Sequence, residues 1–187
     1  MARPFKHFSV ITRHRHKVIV HCFKAGILWQ GLLHDLSKYS PTEFIPGARY
    51  VSGTRSPNEV ERELFGYSRA WLHHKGRNRH HFEYWTDYNP QTKRVEPVDM
   101  PEKYIIEMFC DRVAASKIYA GDKYTNRYPL DYFLRGKATR AVTQSTSDKL
   151  EFLLTHLAEH GEKKTFALIR ECKRGSLPTL QKIESDI

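Results

Sequence analysis

The stretch Gly31-Leu32-Leu33-His34-Asp35-Leu36-Ser37-Lys38 sets an adjacent His-Asp pair inside an apolar segment. Helical spacing predicts a helix over residues 27–38, in which Asp35 aligns with Leu28 and Leu32 and faces the core. A buried carboxylate without a partner is costly. Two partners are open at this point: a metal cation bound by both side chains, or a His-Asp hydrogen bond that ties two helices together.

The length and composition fit one folded domain over residues 1–187. The chain has 187 residues, of which 40% are hydrophobic and 12% aromatic, enough to bury a core. Its three cysteines form no disulfide framework, which indicates a reducing compartment. No signal-peptide pattern and no spanning apolar run is present, so we expect a cytoplasmic protein without a membrane partner.

The formal net charge is +10. A basic surface attracts nucleic acid, nucleotides and phosphorylated metabolites, although it can also serve only solubility. Charge alone does not choose among these partners. The eleven histidines are more informative, because their positions can be compared with the predicted helices.

The first helix is predicted over residues 12–25. On a helical wheel His16 lies in the middle of an apolar stripe, whereas His14 and His21 fall on the polar side. The stripe consists of Ile19, Val20, Phe23 and Ile27. We therefore expect His16 to be the inward histidine of this helix.

Two capping boxes predict the next helix starts, Ser40-Pro41-Thr42-Glu43 and Ser56-Pro57-Asn58-Glu59. The second box opens a helix expected to run from Asn58 to about His74, on which His74 faces inward. A histidine-rich loop follows, with four histidines and three cations between His73 and His81. Metal ligation, anion binding and a basic surface compete as explanations for this loop. We expect at least one of His80 and His81 to bind metal.

Asp111 lies on a helix predicted over residues 101–119 that is apolar on most sides. A carboxylate in such surroundings needs a cation, either a metal ion or an arginine such as Arg112. Residues 86–102 are predicted to form an extended loop and residues 121–131 a polar link. Further helices are expected from Asp148 to Gly161 and over residues 163–173, ending at Gly175. The predicted fold is an all-α, single-domain helical bundle.

In chain order the inward polar residues are His, His-Asp, His, His, Asp. With the apolar run before His34-Asp35 and Lys38 three residues after the pair, this order resembles the HD superfamily of metal-dependent phosphohydrolases. Cys110-Asp111-Arg112-Val113-Ala114 is similar to that superfamily's final Asp helix. Residues 31–44 and 70–78 resemble a bacterial family of unknown function within it. The resemblance covers about residues 10–120, and the helices of residues 147–175 would pack on that core.

The resemblance implies an HD-type helical fold, a His/Asp site for one or two divalent ions, and hydrolysis of a nucleotide or other small phosphate ester. Mn, Fe, Co, Ni or Zn suits such ligands, and Mg is possible. Asp35 would bridge the ions, and Lys38, Arg77 and Arg79 would contact phosphate oxygens. Asp35 and Lys38 are the expected catalytic residues. The expected metal ligands are His16, His34, Asp35, His74, His80, His81 and Asp111.

Two other functions stay open. A diiron oxygenase on the same scaffold would use similar ligands for oxygen chemistry. A non-enzymatic, basic helical domain that binds nucleic acid would need no metal, and its affinity would fall steeply with salt. Metal content of the purified protein separates the first two classes from the third.

Overall fold

The structure, a computed structural model, describes residues 2–51, 56–172 and 177–178. The N-terminal half is helical apart from short connections. Its helices are α1 (Pro4–Lys24), α2 (Leu28–Leu33), α3 (Pro41–Tyr50), α4 (Pro57–Phe65) and α5 (Arg69–Lys75), with 3₁₀ turns at Leu36–Tyr39 and Phe82–Tyr84.

The C-terminal half begins with a small antiparallel hairpin, β1 (Thr86–Asn89) and β2 (Arg94–Pro97), in which Thr86 pairs with Pro97. Three helices follow: α6 (Glu102–Ala120), α7 (Tyr128–Arg135) and α8 (Gln144–Cys172). Short 3₁₀ turns, Gly121–Lys123 and Lys137–Thr139, connect them. Helix α8 contains a non-helical residue, Gly161, with φ 76°. Glycine tolerates this left-handed value, so α8 consists of two helical segments that meet at Gly161.

Helix α6 is the centre of the bundle. It packs against α1 on one side and against α7 and α8 on the other, while α1 also contacts α2 and α3. Ile105, Phe109 and Val113 of α6 have no exposed surface. The described core residues around them include Val18 and Cys22 of α1 and Leu153, Leu157 and Ile169 of α8. The prediction that residues 101–119 form a helix apolar on most sides is confirmed.

The chain is predominantly helical, as predicted, but several boundaries differ. Helix α1 begins at Pro4 instead of residue 12. The helix expected from Asn58 to His74 is two helices, because Gly66 takes φ 78° and Ser68 caps a new start. The predicted loop over residues 86–102 contains the hairpin, so the chain is not purely α-helical. The predicted stop at Gly161 corresponds to the break in α8, whereas Gly175 lies outside the described residues.

One predicted capping box also differs. Ser56 accepts a hydrogen bond from the backbone N–H of Asn58, as an N-cap should. The side chain of Ser40 caps nothing, and Glu43 is turned away from the start of α3 to bind histidines instead. The predicted helix start is therefore right, but Glu43 has another role.

Candidate metal centre

The chain leaves the helical conformation at the His-Asp pair. Helix α2 ends at Leu33, His34 is extended with ψ 128°, and Asp35 takes the left-handed conformation with φ 55°. Left-handed backbone is unfavourable for residues other than glycine, and such strained residues are concentrated at functional sites. The sequence predicted an unbroken helix over residues 27–38, in which adjacent side chains diverge by about 100°. The break removes that divergence and lets both side chains point into one space.

Arg15 of α1 supports this break. Its Nε donates to the carbonyl oxygen of His34 at 3.1 Å, and its guanidinium also donates to the carbonyl oxygen of Leu32. A helix end leaves its last carbonyls without partners inside the helix. Arg15 binds two carbonyls at this end, so α1 holds the turn that carries His34 and Asp35.

Two groups of possible metal ligands share the carboxylate of Asp35. The first group is His14, His34, Asp35 and Asp111, and the second is Asp35, His74, His80 and His81. Within each group the ligand atoms lie within 4.8 Å of one another. Since metal–nitrogen and metal–oxygen bonds are about 2.0–2.2 Å, ligands on opposite sides of an ion lie about 4 Å apart. The groups have the size of ion sites.

Each oxygen of Asp35 faces one of the two groups. Oδ1 lies 3.3 Å from Nε2 of His74 and 3.5 Å from Nε2 of His80. Oδ2 lies 3.2 Å from Nε2 of His34 and 3.9 Å from Nε2 of His14. A carboxylate placed in this way can bridge two ions, one through each oxygen.

His14, not His16, is the inward histidine of α1. His14 is buried, and its Nε2 lies 2.9 Å from Oδ1 of Asp111, whereas His16 is exposed. The predicted helical phase was wrong. The buried face of α1 carries His7, Ile11, His14, Val18, His21 and Cys22. Val20 and Phe23, which the prediction placed in the core, are exposed.

The other predicted ligands come together. His34, Asp35, His74 and His80 are each no more than 3% exposed, and Asp111 and His81 complete the two groups. Asp111 has no arginine partner within ion-pair distance in the described part of the chain, so the proposed pair with Arg112 is not formed.

Glu107 of α6 orients two of the histidines. Nδ1 of His34 lies 3.0 Å from Oε1 of Glu107, and Nδ1 of His80 lies 3.1 Å from the same oxygen. Gln30 donates to the second carboxylate oxygen at 3.0 Å. A carboxylate only accepts hydrogen bonds, so Nδ1 carries a proton, and Nε2, directed toward Asp35, is the nitrogen available to a metal ion. Carboxylates oriented this way behind metal-binding histidines fix the tautomer and make the nitrogen more basic.

Glu43 of α3 has the same relationship to α5. One oxygen lies 2.7 Å from Nδ1 of His74 and the other 2.7 Å from Nδ1 of His73. Nε2 of His74 then faces Nε2 of His81 at 2.8 Å. His73 stands behind the cluster and outside both ligand groups, since its hydrogen bond goes to Glu43.

Several buried atoms at the centre have ion-pair contacts with one another or with Lys38 but no hydrogen bond of regular geometry in the described structure. They are Nε2 of His14, His34 and His80, and both oxygens of Asp35. Buried polar atoms are normally satisfied, and unpaired ones cost free energy. Here they converge from separate elements on one small volume. The residues therefore fit divalent ions, which would complete the bonding of all five atoms.

The charges around the site also fit cations. Four carboxylates surround it, those of Asp35, Asp111, Glu107 and Glu43, and Lys38 is the one lysine or arginine within ion-pair distance of them in the described chain. Burial alone would raise the pKa of Asp35, but His34 and Lys38 hold it well below the ordinary value. Burial would likewise lower the pKa of His34, but the Asp35 charge and hydrogen bonds with Asp111, Asp35 and Glu107 raise it well above its ordinary value. The cluster thus attracts positive charge, either a proton or a metal ion.

Lys38 lies beside the cluster, whereas the two arginines predicted to contact phosphate do not. Lys38 lies 2.5 Å from Oδ2 of Asp35 and lines a cavity of about 190 Å³ beside His74 and His81. Arg77 donates to the carbonyl oxygen of His73, and Arg79 donates to the hydroxyl of Tyr104 at 3.2 Å. Both arginines are exposed and line neither cavity at the cluster, because they leave the loop on its solvent side.

Sequence reasoning missed His14, Glu43 and Glu107 as members of the site. Glu107 carried a signal: it lies one helical turn before Asp111 on a helix with few other polar residues. Glu43 belongs to the predicted capping box that starts at Ser40. Because the capping box already accounts for a glutamate at this position, the sequence gave no separate signal for a role in the site. His14 could have been identified only with the correct phase of α1.

The fold and the cluster define a class: a predominantly helical protein with a buried His/carboxylate site that can hold metal ions. The chain belongs to the DUF5662 family, described as a family of unknown function, whose model matches residues 3–156. The match includes every residue of the two ligand groups together with Glu43 and Glu107. No curated protein and no solved structure matches the chain. Among the described helices, none combines the length and apolar character needed to cross a membrane.

Proposed function

We propose that the protein is a metal-dependent phosphohydrolase of the HD type, acting on a small phosphate ester, with nucleotides among its expected substrates. The observation that carries the proposal is Asp35. Each of its oxygens faces a different histidine group, and Lys38 is the one lysine or arginine paired with it in the described structure. This is the arrangement expected of a carboxylate that bridges two ions.

The chain order of the ligands supports the HD type. His14 comes from α1, the His34-Asp35 pair follows α2, His74 lies on α5, His80 and His81 lie in the next loop, and Asp111 lies on α6. The order stated from the sequence is kept when His14 takes the place of His16. Divalent ions held here would lower the pKa of a water molecule and offset negative charge on phosphoryl oxygens. His/carboxylate ligand sets of this kind suit Mn, Fe, Co, Ni or Zn.

The protein's own residues would orient the histidines and bind the phosphoryl group. Glu107 and Glu43 would hold a proton on Nδ1 of three histidines, which makes Nε2 the nitrogen that an ion can bind. Lys38 brings a positive charge beside the bridging carboxylate, where it can bind a phosphoryl oxygen. Burial of the cluster strengthens these electrostatic interactions, since little water is present to screen them.

The test measures metal content first and hydrolysis second. The purified protein is analysed for Mn, Fe, Co, Ni and Zn. Protein stripped with chelator is then reloaded with each metal or with Mg and assayed on phenyl phosphate and on a panel of nucleotides. We expect release of phosphate that depends on metal and is lost in Asp35→Asn. If the reloaded protein binds two equivalents of metal but hydrolyses nothing in the panel, the hydrolase assignment is wrong.

A further inference from the structure

A second cavity lies against the metal centre. Its volume is about 500 Å³, within the range of small-molecule sites. Asp111 and His81 line it where it meets the ligand groups. Its other charged lining residues are Arg112, Arg135, Arg140, Glu59 and Glu83. Aromatic side chains line much of the remaining wall, including Trp71, Phe82, Tyr128 and Tyr132.

Arg112 is a half-buried cation with no carboxylate within ion-pair distance in the described residues. Its Nε is buried and makes no hydrogen bond, and no carboxylate lies within ion-pair distance of its guanidinium in the described residues. Guanidinium groups inside proteins are normally paired, because an unpaired buried charge is costly. Arg112 therefore has donors available to a ligand.

Arg140 brings a second positive charge to the same place. The guanidinium carbons of Arg112 and Arg140 lie 5.9 Å and 4.9 Å from the centroid of the Phe133 ring. Arg140 donates to the carbonyl oxygen of Phe133 at 2.6 Å, and no carboxylate lies within ion-pair distance of it in the described chain. Two like charges held together by one ring are stabilised when an anion lies between or beside them.

We propose that this arginine pair, Arg112 and Arg140, binds a second anionic group of the substrate. The substrate class is then an organic phosphate ester that carries a further phosphate or carboxylate, with a ring system in contact with the aromatic wall. The position of the scissile phosphate at the metal centre rests on the proposed function. The binding of a second anion by the arginine pair rests on the cavity and its charges alone.

A purely structural role makes a different prediction for stability. If the arginines serve only to pack on Phe133, replacing Arg112 with methionine should leave ligand affinity unchanged and lower the melting temperature. If they form an anion site, Arg112→Met removes a half-buried charge that lacks an ion-pair partner, together with a like-charge contact. The variant should then melt no lower than the wild type in the absence of ligand, and its anion affinity should fall.

The experiment uses non-hydrolysable compounds that differ only in the second anion: phenylphosphonate, 3-carboxyphenylphosphonate and 4-carboxyphenylphosphonate. Calorimetric titration is performed on wild type, Arg112→Met, Arg140→Met and the control Arg94→Met, with and without Mn. Arg94 is exposed on β2 and lines neither cavity. A charge-assisted hydrogen bond to the carboxylate should favour one carboxylated isomer by at least about tenfold in the wild type and the control. This preference should fall to about threefold or less in both cavity variants.

The outcomes separate the two proposals. Equal affinity for all three compounds, or no measurable binding of any of them, overturns the arginine-pair site. A preference that survives in both Arg112→Met and Arg140→Met overturns it as well. Hydrolysis of phenyl phosphate without any carboxylate preference leaves the hydrolase in place and removes the anion site. An arginine-dependent preference without hydrolysis supports the anion site and removes the hydrolase.

Discussion

Nδ1 of His34 is hydrogen-bonded to Oε1 of Glu107 at 3.0 Å, which directs the other ring nitrogen toward Asp35. Burial alone would raise the pKa of Glu107, but hydrogen bonds with His34 and His80 lower it to about 2. The carboxylate is therefore ionised at any physiological pH and holds both histidines in the tautomer that binds metal through Nε2.

Replacing Glu107 with glutamine should weaken metal binding without removing a ligand. The amide keeps the shape but loses the negative charge behind His34 and His80, so affinity for Mn or Zn should fall about 10–100-fold. Calorimetric titration of the stripped protein measures this change. Glu159→Gln on the exposed face of α8 is the matched control and should titrate like the wild type. An unchanged affinity in Glu107→Gln would leave the carboxylate with a structural role only.

The two early histidines give a direct test of the corrected helical phase. His14→Ala removes a buried nitrogen 2.9 Å from Asp111 and should abolish or strongly reduce binding at the first ligand group. His16→Ala changes an exposed side chain and should leave metal stoichiometry unchanged. Elemental analysis of both variants after reloading and desalting is sufficient. Loss of metal in His16→Ala alone would contradict the position of His14.

The sequence was sufficient for the helical class and for the inward direction of most residues in the two candidate ligand groups. His34, Asp35, His74 and Asp111 stand in apolar surroundings where burial of a polar group needs a partner, so their inward direction could be predicted. The prediction of which face of α1 is buried was wrong for a specific reason. Its core face includes His7, His14 and His21, which a hydrophobicity pattern counts as polar, while Val20 and Phe23 are exposed. A helix that buries histidines therefore gives a misleading phase.

The break at His34-Asp35 could not be predicted from local propensity. Asp35 keeps its left-handed φ in a turn that Arg15 supports from α1, 20 residues earlier in the chain. Neither Gly nor Pro marks the break, so the local sequence favours a continuing helix. The roles of Glu43 and Glu107 could not be predicted for the same reason, because they depend on helices that come together only in the folded chain.

A substitution of Asp111 tests whether this residue binds a metal ion or only pairs with other side chains. Asp111→Asn keeps the shape of the side chain and removes the charge that offsets an ion, so the variant should fold and bind metal more weakly. Added Mn should raise the melting temperature of the wild type through linkage and raise that of Asp111→Asn much less. Asp131→Asn, which changes the exposed partner of Arg127, is the control. Equal metal-induced shifts in Asp111→Asn and the wild type would exclude Asp111 from the site.

Gly31 tests whether the packing of α2 on α1 positions the metal centre. A Cβ on Gly31 would lie 2.6 Å from Cβ of Cys22, so the two helices would have to separate. Overpacking of this kind costs about 1–3 kcal/mol. Gly31→Ala should therefore unfold at lower denaturant concentration and bind metal more weakly, since α2 leads directly into His34. Gly76→Ala is the control, because a Cβ there meets atoms no closer than 3.4 Å. Equal stability of the two variants would contradict the close approach of α1 and α2.

His21 should make the protein sensitive to acid independently of metal. Burial, and next the charge of Lys117, lower its pKa to about 4, although the Cys110 carbonyl and Glu162 act in the opposite direction. The ordinary value is 6.5, so between these pH values the unfolded chain binds a proton that the folded chain does not. Stability is then fully present above pH 6.5 and is lost as the pH falls toward 4, by about 3 kcal/mol at most.

His21→Gln removes this titration. In urea unfolding with chelator present, the variant should lose less stability between pH 7 and pH 4.5 than the wild type and the exposed control His16→Gln. Parallel pH dependence of His21→Gln and the wild type would show that His21 does not titrate in this range.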